Sequence, residues 1–235
     1  MNGPAKVLSC LLVTCLLSMP LLLKAQSTAK TCVLQVNPLL HGKPAEHGML
    51  IGKVNGDSIA IHTFRFYLGN FTLLKNGKTV WQAKNRYSLL DINDAGTCTI
   101  TLKTGVAFDA LAFDLGTDSL TNVSGAMGGD LDPTKGMYWA WNSGYVNFKL
   151  EGYAEKCPTR NHQFEFHIGG YMPPFQTVQT IEFSDLKTGN IQVDIELSGF
   201  FEHMDLAKTH TVMSPSETSA KLAQLLAKTF RVHGN

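Results

Sequence analysis

From about residue 31 onward apolar and polar positions alternate with period two, the signature of half-buried strands. Cys32, Leu34 and Val36 share one phase and stop at Asn37-Pro38, predicting a short strand followed by a turn-rich loop to Gly48. Over residues 58–68 the same period puts His62, Phe64, Phe66 and Leu68 on one face, which assigns His62 to a buried, hydrogen-bonded position. Asn76-Gly77 then predicts a tight hairpin turn, whose positive φ angles those two residues tolerate, leading into Thr79-Val80-Trp81. Further short strands are predicted near 87–90, 97–102, 110–115, 163–168, 177–183 and 190–197, with Val146, Phe148 and Leu150 alternating between them.

Two segments break the pattern. Residues 116–136 hold five glycines and few apolar residues, predicting a long loop, and unstructured loops of that length are uncommon unless functional or disordered. The last segment changes period: Ser214-Pro215-Ser216-Glu217 reads as N-cap, first-turn proline and capping-box acid. Leu222, Leu225, Leu226 and Phe230 would then line one face of a helix over about 215–230, roughly four turns long. With no internal repeat and no linker, residues 26–235 read as one all-β domain, a β-sandwich with a long Gly-rich loop and a C-terminal helix.

Ahead of that domain, Lys6, an apolar run from Val7 to Leu23 and Leu23-Lys24-Ala25 before Gln26 form the pattern of a signal peptide over residues 1–25. The alternative is a retained membrane anchor, for which the run is near the lower length limit. Cleavage implies a bacterial-type exported protein, periplasmic or secreted, with no further membrane span. It removes Lys6 and Lys24 from the 20 basic residues, leaving 18 against 19 acidic ones, a balance that excludes the basic footprint nucleic acid requires. Cys10 and Cys15 leave with the signal. The odd set Cys32, Cys98 and Cys157 is no disulfide scaffold; Cys98, in phase with Ile100 and Leu102, is expected to be buried, and Cys157 either pairs with Cys32 or stays free.

The chain carries no phosphate-binding loop, nucleophile elbow or His-Glu-x-x-His, and no Ser-His-Asp order or paired carboxylates can be argued, so it is not expected to be an enzyme. Asp114, Asp118 and Asn122, with Asp130 and Asp132 behind them, are either oxygen ligands for calcium or, as favoured here, turn caps. Histidine suits a softer metal. His167 lies opposite Phe164, Phe166 and Ile168 on its strand, as a ligand or as an ordinary hydrogen-bonded surface residue. His203 and His210 follow the last strand, with the thioethers of Met204 and Met213 near them. Trp139 and Trp141, two apart, would project from one face as core packing or as a ligand platform.

The cluster Gly136-Met-Tyr-Trp-Ala-Trp-Asn-Ser-Gly-Tyr145, with Lys149-Leu-Glu-Gly152 and Phe164-Glu-Phe-His-Ile-Gly169, resembles the MbnP-like family of exported copper-binding proteins. Phe66-Tyr67-Leu68 with Asn70, Leu90-Asp91 and Phe113-Asp-Leu-Gly116 before Asn122 extend the resemblance from about residue 33 to 200. It implies a β-sandwich that binds Cu(I) through histidine and, in characterised relatives, through a tryptophan oxidised to kynurenine by a di-haem partner of the cytochrome c peroxidase type. Carried onto this chain, Trp139 is the modified residue, His167 one ligand and His203 the candidate second, ahead of His210 and His62. Some relatives have histidine at the position of Trp141, and this chain does not. A metal-free binding module using Trp139, Trp141 and Tyr145 as an aromatic platform for a glycan, peptide or protein is the alternative.

Overall fold

The computed structural model describes residues 31–234 apart from 47, 143 and 188, and the side chain of residue 85 is not among those described. The segment expected to be a signal peptide, with Cys10 and Cys15, lies outside the described residues. In chain order the strands are β1 (Thr31–Leu40), β2 (Lys43–Pro44), β3 (Leu50–Val54), β4 (Asp57–Lys75), β5 (Lys78–Asp91), β6 (Thr99–Lys103) and β7 (Ala110–Leu115). After helix α1 (Ser119–Val123) come β8 (Tyr138–Trp139), β9 (Gly144–Ala154), β10 (Gln163–Gly169), β11 (Gln179–Phe183) and β12 (Asn190–Glu196). Helix α2 (Leu197–Glu202), β13 (Thr211–Val212), helix α3 (Glu217–Ala227) and β14 (Phe230–Val232) complete the chain.

These strands form an all-β sandwich of two sheets. The smaller runs β14-β12-β1-β2, with β6 also on β1; the larger runs β11-β7-β4-β9-β10-β13, with β3 and β5 on β4 and β8 on β9. Strand β4 organises the larger sheet because its 19 residues are long enough to be shared. β3 and then β5 pair along one edge of it, and β9 and then β7 along the other. The Asn76-Gly77 hairpin forms as expected, with φ of 50° and 72°.

Between the sheets lies one apolar cluster. Leu34, Val36, Val193 and Ile195 of the smaller sheet meet Phe64, Phe66, Phe148, Leu150, Phe164 and Phe166 of the larger. Phe200 and Phe201 of α2 enter the same core, Phe200 edge-on to Phe148 and Phe166 and Phe201 to Phe164. No helix among the described residues is long and apolar enough to cross a membrane.

Several expected details are corrected. β1 continues through Pro38, which falls between the residues paired with β6 (31–35) and those paired with β2 (39–40), where no antiparallel neighbour needs an N–H from it. His62 is exposed, because the pairing of β4 with β9 slips between Ile61 and Thr63; the bulge turns its side chain out of the core. Cys98 ends a 3-10 turn (Ala95–Cys98) and is only half-buried, and Cys32 and Cys157 are buried free thiols. The cap of α3 is Ser216, with Ser219 closing the capping box; the helix is 11 residues long and ends before Phe230, which belongs to β14. Residues 116–136 are not structureless: they contain α1 and two 3-10 turns.

Candidate functional site

Because side chains alternate across a strand, every core residue of the larger sheet has neighbours on the opposite, outer face. Toward one end that face is apolar: Tyr67, Tyr87, Leu89, Met137, Trp139, Tyr145 and Val146 make a second buried cluster with Leu131. Its roof is the 116–136 segment, held down by buried polar groups. Tyr67 donates its hydroxyl to the Asp130 carbonyl at 3.0 Å, Tyr145 donates to the Leu131 carbonyl at 3.1 Å, and the Met127 amide donates to the Tyr145 hydroxyl at 3.0 Å. Burial raises the pKa of both phenols, keeping them neutral donors.

Asn122, at 3 % exposure, ties roof to sheet. Its Oδ1 accepts the Tyr145 amide at 2.7 Å, and its Nδ2 donates to the Thr117 carbonyl and hydroxyl and to the Asp118 carbonyl. Alanine at this position strands a buried amide and carbonyl, so Asn122→Ala is expected to lower unfolding free energy by about 2–4 kcal/mol in urea titration. A change under about 0.5 kcal/mol, typical of an ordinary surface site, would contradict this role.

Of the aspartates expected to cap turns, Asp118 and Asp132 do so, whereas Asp114 lies in β7 and Asp130 reaches across to β5. Asp118 accepts the Thr121 amide at the start of α1, and Asp132 accepts the Thr134 amide. Asp130 takes the Leu89 amide and the Lys135 ammonium, while Asp114 accepts from Asn70 and Thr180. Both carboxylate oxygens of Asp114, Asp118 and Asp130 accept from protein donors. Among the described residues no group of three or more His, Cys, Asp or Glu stands close enough to hold a metal by itself.

Beyond the roof the outer face turns polar. Asp91, Arg65, Lys149 and His167 lie in register across β5, β4, β9 and β10. Arg65 pairs with Asp91 at 3.0 Å and donates to the Lys135 carbonyl at 2.7 Å, and Lys149 donates to the Gly136 carbonyl at 3.0 Å; both cations thereby anchor the chain leading to Trp139. His167 approaches the Glu151 carboxylate through Nε2 at 2.5 Å, and their side chains are 13 % and 21 % exposed. The His167 hydrogen bond, with help from Thr63 and Lys149, pulls Glu151 down to about 2 against its desolvation. Glu151 is therefore ionised and can only accept, so Nε2 carries the proton, and in the neutral imidazole the lone pair is on Nδ1. A carboxylate fixing the tautomer of an imidazole in this way is the usual outer-shell arrangement around a metal-binding histidine.

Trp139 is 7 % exposed and sits against the backbone of the same strand: a Cβ on Gly169 would lie 2.8 Å from its ring and 2.5 Å from the Tyr145 carbonyl oxygen. Gly169 is two residues beyond His167, so the indole lies over the outward position next to that of the imidazole, the His167 and Gly169 Cα atoms being about 7 Å apart. Trp141 is not in a strand; it lies in the following turn, 66 % exposed, with its ring 5.4 Å from that of Trp139.

His203 is not brought to this face. It ends α2, its Nδ1 meets the Gly199 carbonyl at 2.9 Å, and α2 packs through Phe200 and Phe201 on the core side of β10. His210 adjoins β10, where its carbonyl accepts the Glu165 amide, and its buried Nδ1 has no hydrogen-bond partner among the described residues. His62, assigned to the core by its phase, instead joins the outer surface, bonded to Thr63, whose hydroxyl also reaches Glu151. The sequence pattern placed Glu151 within a shared motif but gave it no role; its outward phase on β9 was readable, its pairing with His167 was not.

The sequence model of the MbnP family matches residues 29–214. The chain belongs to the MbnP family. MbnP from Methylosinus trichosporium is similar in structure, with a TM-score of 0.62 at 18 % identity over 81 % of this chain and 86 % of that one. At that identity the likeness speaks for the shared fold. No curated protein sequence matches the chain. The family match runs from the start of β1 to just past β13, so it includes Trp139, Trp141, Glu151 and His167, while α3 and β14 lie outside it.

Proposed function

We propose that this MbnP-family protein is an exported Cu(I)-binding protein of the periplasm or cell exterior, serving copper acquisition or handling without catalytic turnover of its own. The observation that carries the reading is the Glu151–His167 pair beside Trp139: an imidazole with its proton fixed on Nε2 offers Nδ1 to a metal, and it stands on the outer face of the family's fold. Neutral imidazole suits copper. Within this reading His167 is a first ligand, and Trp139, once oxidised to kynurenine, adds an aromatic amine; His203 is too far removed in the fold to complete the set.

The oxidant in this proposal is a di-haem protein of the cytochrome c peroxidase type. Trp139 is buried, whereas Trp141, 5.4 Å away, is open to solvent, which favours removal of electrons through Trp141 over direct contact with the inner indole. A second reading, a metal-free extracytoplasmic module, has its own support in exposed apolar side chains near the roof: Leu120, Val123, Trp141 and Met172 are all at least 61 % exposed. Anaerobic titration of the purified mature protein against a chromophoric Cu(I) chelator separates the two. The copper reading expects one ion withdrawn per chain; an unchanged chelator spectrum, together with saturable quenching of Trp141 by a glycan or peptide, would favour the module.

A further inference from the structure

The geometry points to Met213 as a thioether ligand completing the His167 site, an inference that rests on the copper reading above. Strand β13 runs parallel to β10 along the edge away from β9, with Thr211 opposite Glu165 and Val212 opposite Phe166. One further step along both chains brings Met213 level with His167. The chain stays against β10 beyond that step, since a Cβ on Gly170 would lie 3.3 Å from the Pro215 side chain.

Alternation gives the side. Val212 is buried in the main core, Thr211 and Met213 on either side of it are exposed, and Glu165 and His167 are the outward positions of β10. The Met213 side chain therefore leaves the sheet on the His167 face. Neighbouring strands are about 4.8 Å apart, a gap that an unbranched side chain with three rotatable bonds spans.

Met213 is also among the exposed large hydrophobic residues, at 41 %, and belongs to neither apolar cluster of the described residues. Thioether sulfur selects Cu(I) over harder cations. Glu151 holds His167 from the β9 side and Met213 approaches from the β13 side, so the imidazole has one fixing partner and one co-ligand on opposite edges of its strand. Nitrogen from His167 and sulfur from Met213 make a two-point site for a soft monovalent ion even before any change at Trp139.

The test compares the full mature chain with Met213→Leu, which keeps side-chain volume and removes only the sulfur, using Cu(I) competition against a chelator and X-ray absorption at the copper edge. A sulfur scatterer is expected in the wild-type complex and none in Met213→Leu. The variant's Cu(I) dissociation constant should rise by no less than the roughly 10–100-fold seen on removing an outer-shell partner of a metal ligand, with thermal unfolding unchanged. A wild-type complex showing only nitrogen and oxygen scatterers, or a Met213→Leu protein of unchanged affinity, would overturn the role of Met213 and leave copper binding standing. Failure of the wild-type protein to take Cu(I) would overturn both.

Discussion

Alanine in place of His167 is expected to abolish tight Cu(I) binding while the sandwich stays folded. The imidazole lies on the outer face of β10, apart from the Phe164, Phe166 and Ile168 side chains that make the core, so its loss opens no cavity between the sheets. Glu151 remains partly solvated and keeps Thr63 and Lys149 close by. Removing the ligand should cost more than removing its partner. Glu151→Gln, which leaves a neutral acceptor where an ionised one fixed the tautomer, is expected to weaken binding by roughly 10–100-fold, and His167→Ala to exceed that. Chelator competition on the two variants and the parent gives the order directly. Equal affinity in all three would remove His167 from the site.

The second large effect is expected at Gly169. A methyl group there would stand 2.5 Å from the Tyr145 carbonyl oxygen and 2.8 Å from the Trp139 ring, closer than real contacts allow. The carbonyl belongs to the backbone of β9 and cannot yield alone, so the indole must move or the β9–β10 pairing must open where it already shifts register. Gly169→Ala is expected to cost about 1–3 kcal/mol, the usual range for overpacking, with a red shift of tryptophan emission as Trp139 gains solvent. Gly128, whose added Cβ meets nothing within 4 Å, supplies the control: Gly128→Ala should stay within about 0.5 kcal/mol of the parent. Equal behaviour of the two variants would mean that the close seat of Trp139 on β10 contributes nothing.

Period two revealed which residues share a face, and it did so well where strands are regular. Phe164, Phe166 and Ile168 were read as core with His167 opposite them, and Asn76-Gly77 as a hairpin, because each depends on local geometry alone. The capping role of Asp118 and Asp132 was readable for the same reason. What period cannot supply is the partner on the next strand, since shifting a pairing changes every neighbour without altering the pattern. The Glu151–His167 bond and the pairing of β13 with β10 at Glu165 and Phe166 are facts of register, and neither leaves a mark in the sequence of either strand.

His62 failed for a related reason. A single extra residue in β4 reverses phase, and the sequence around Ile61 and Thr63 contains no glycine or proline to announce it. Phe230 kept helical spacing from Leu226 yet belongs to β14, because Lys228 caps the helix and Thr229 turns the chain into the smaller sheet. His203 is the candidate second ligand, ahead of His210 and His62, when the family resemblance is carried onto this chain. The fold packs Phe200 and Phe201 of α2 against the core side of β10, the wrong side for a residue that must meet His167.

The most direct test of the central claim, a copper site built on His167 and Trp139, is peptide mass spectrometry of the mature protein from its native host, with metal analysis of the same sample. Copper is expected in the sample, together with a Trp139 peptide that has lost one carbon and gained one oxygen, with Trp141 intact. Unmodified Trp139 in a sample free of copper would contradict it and leave an MbnP-family sandwich whose aromatic cluster serves another ligand.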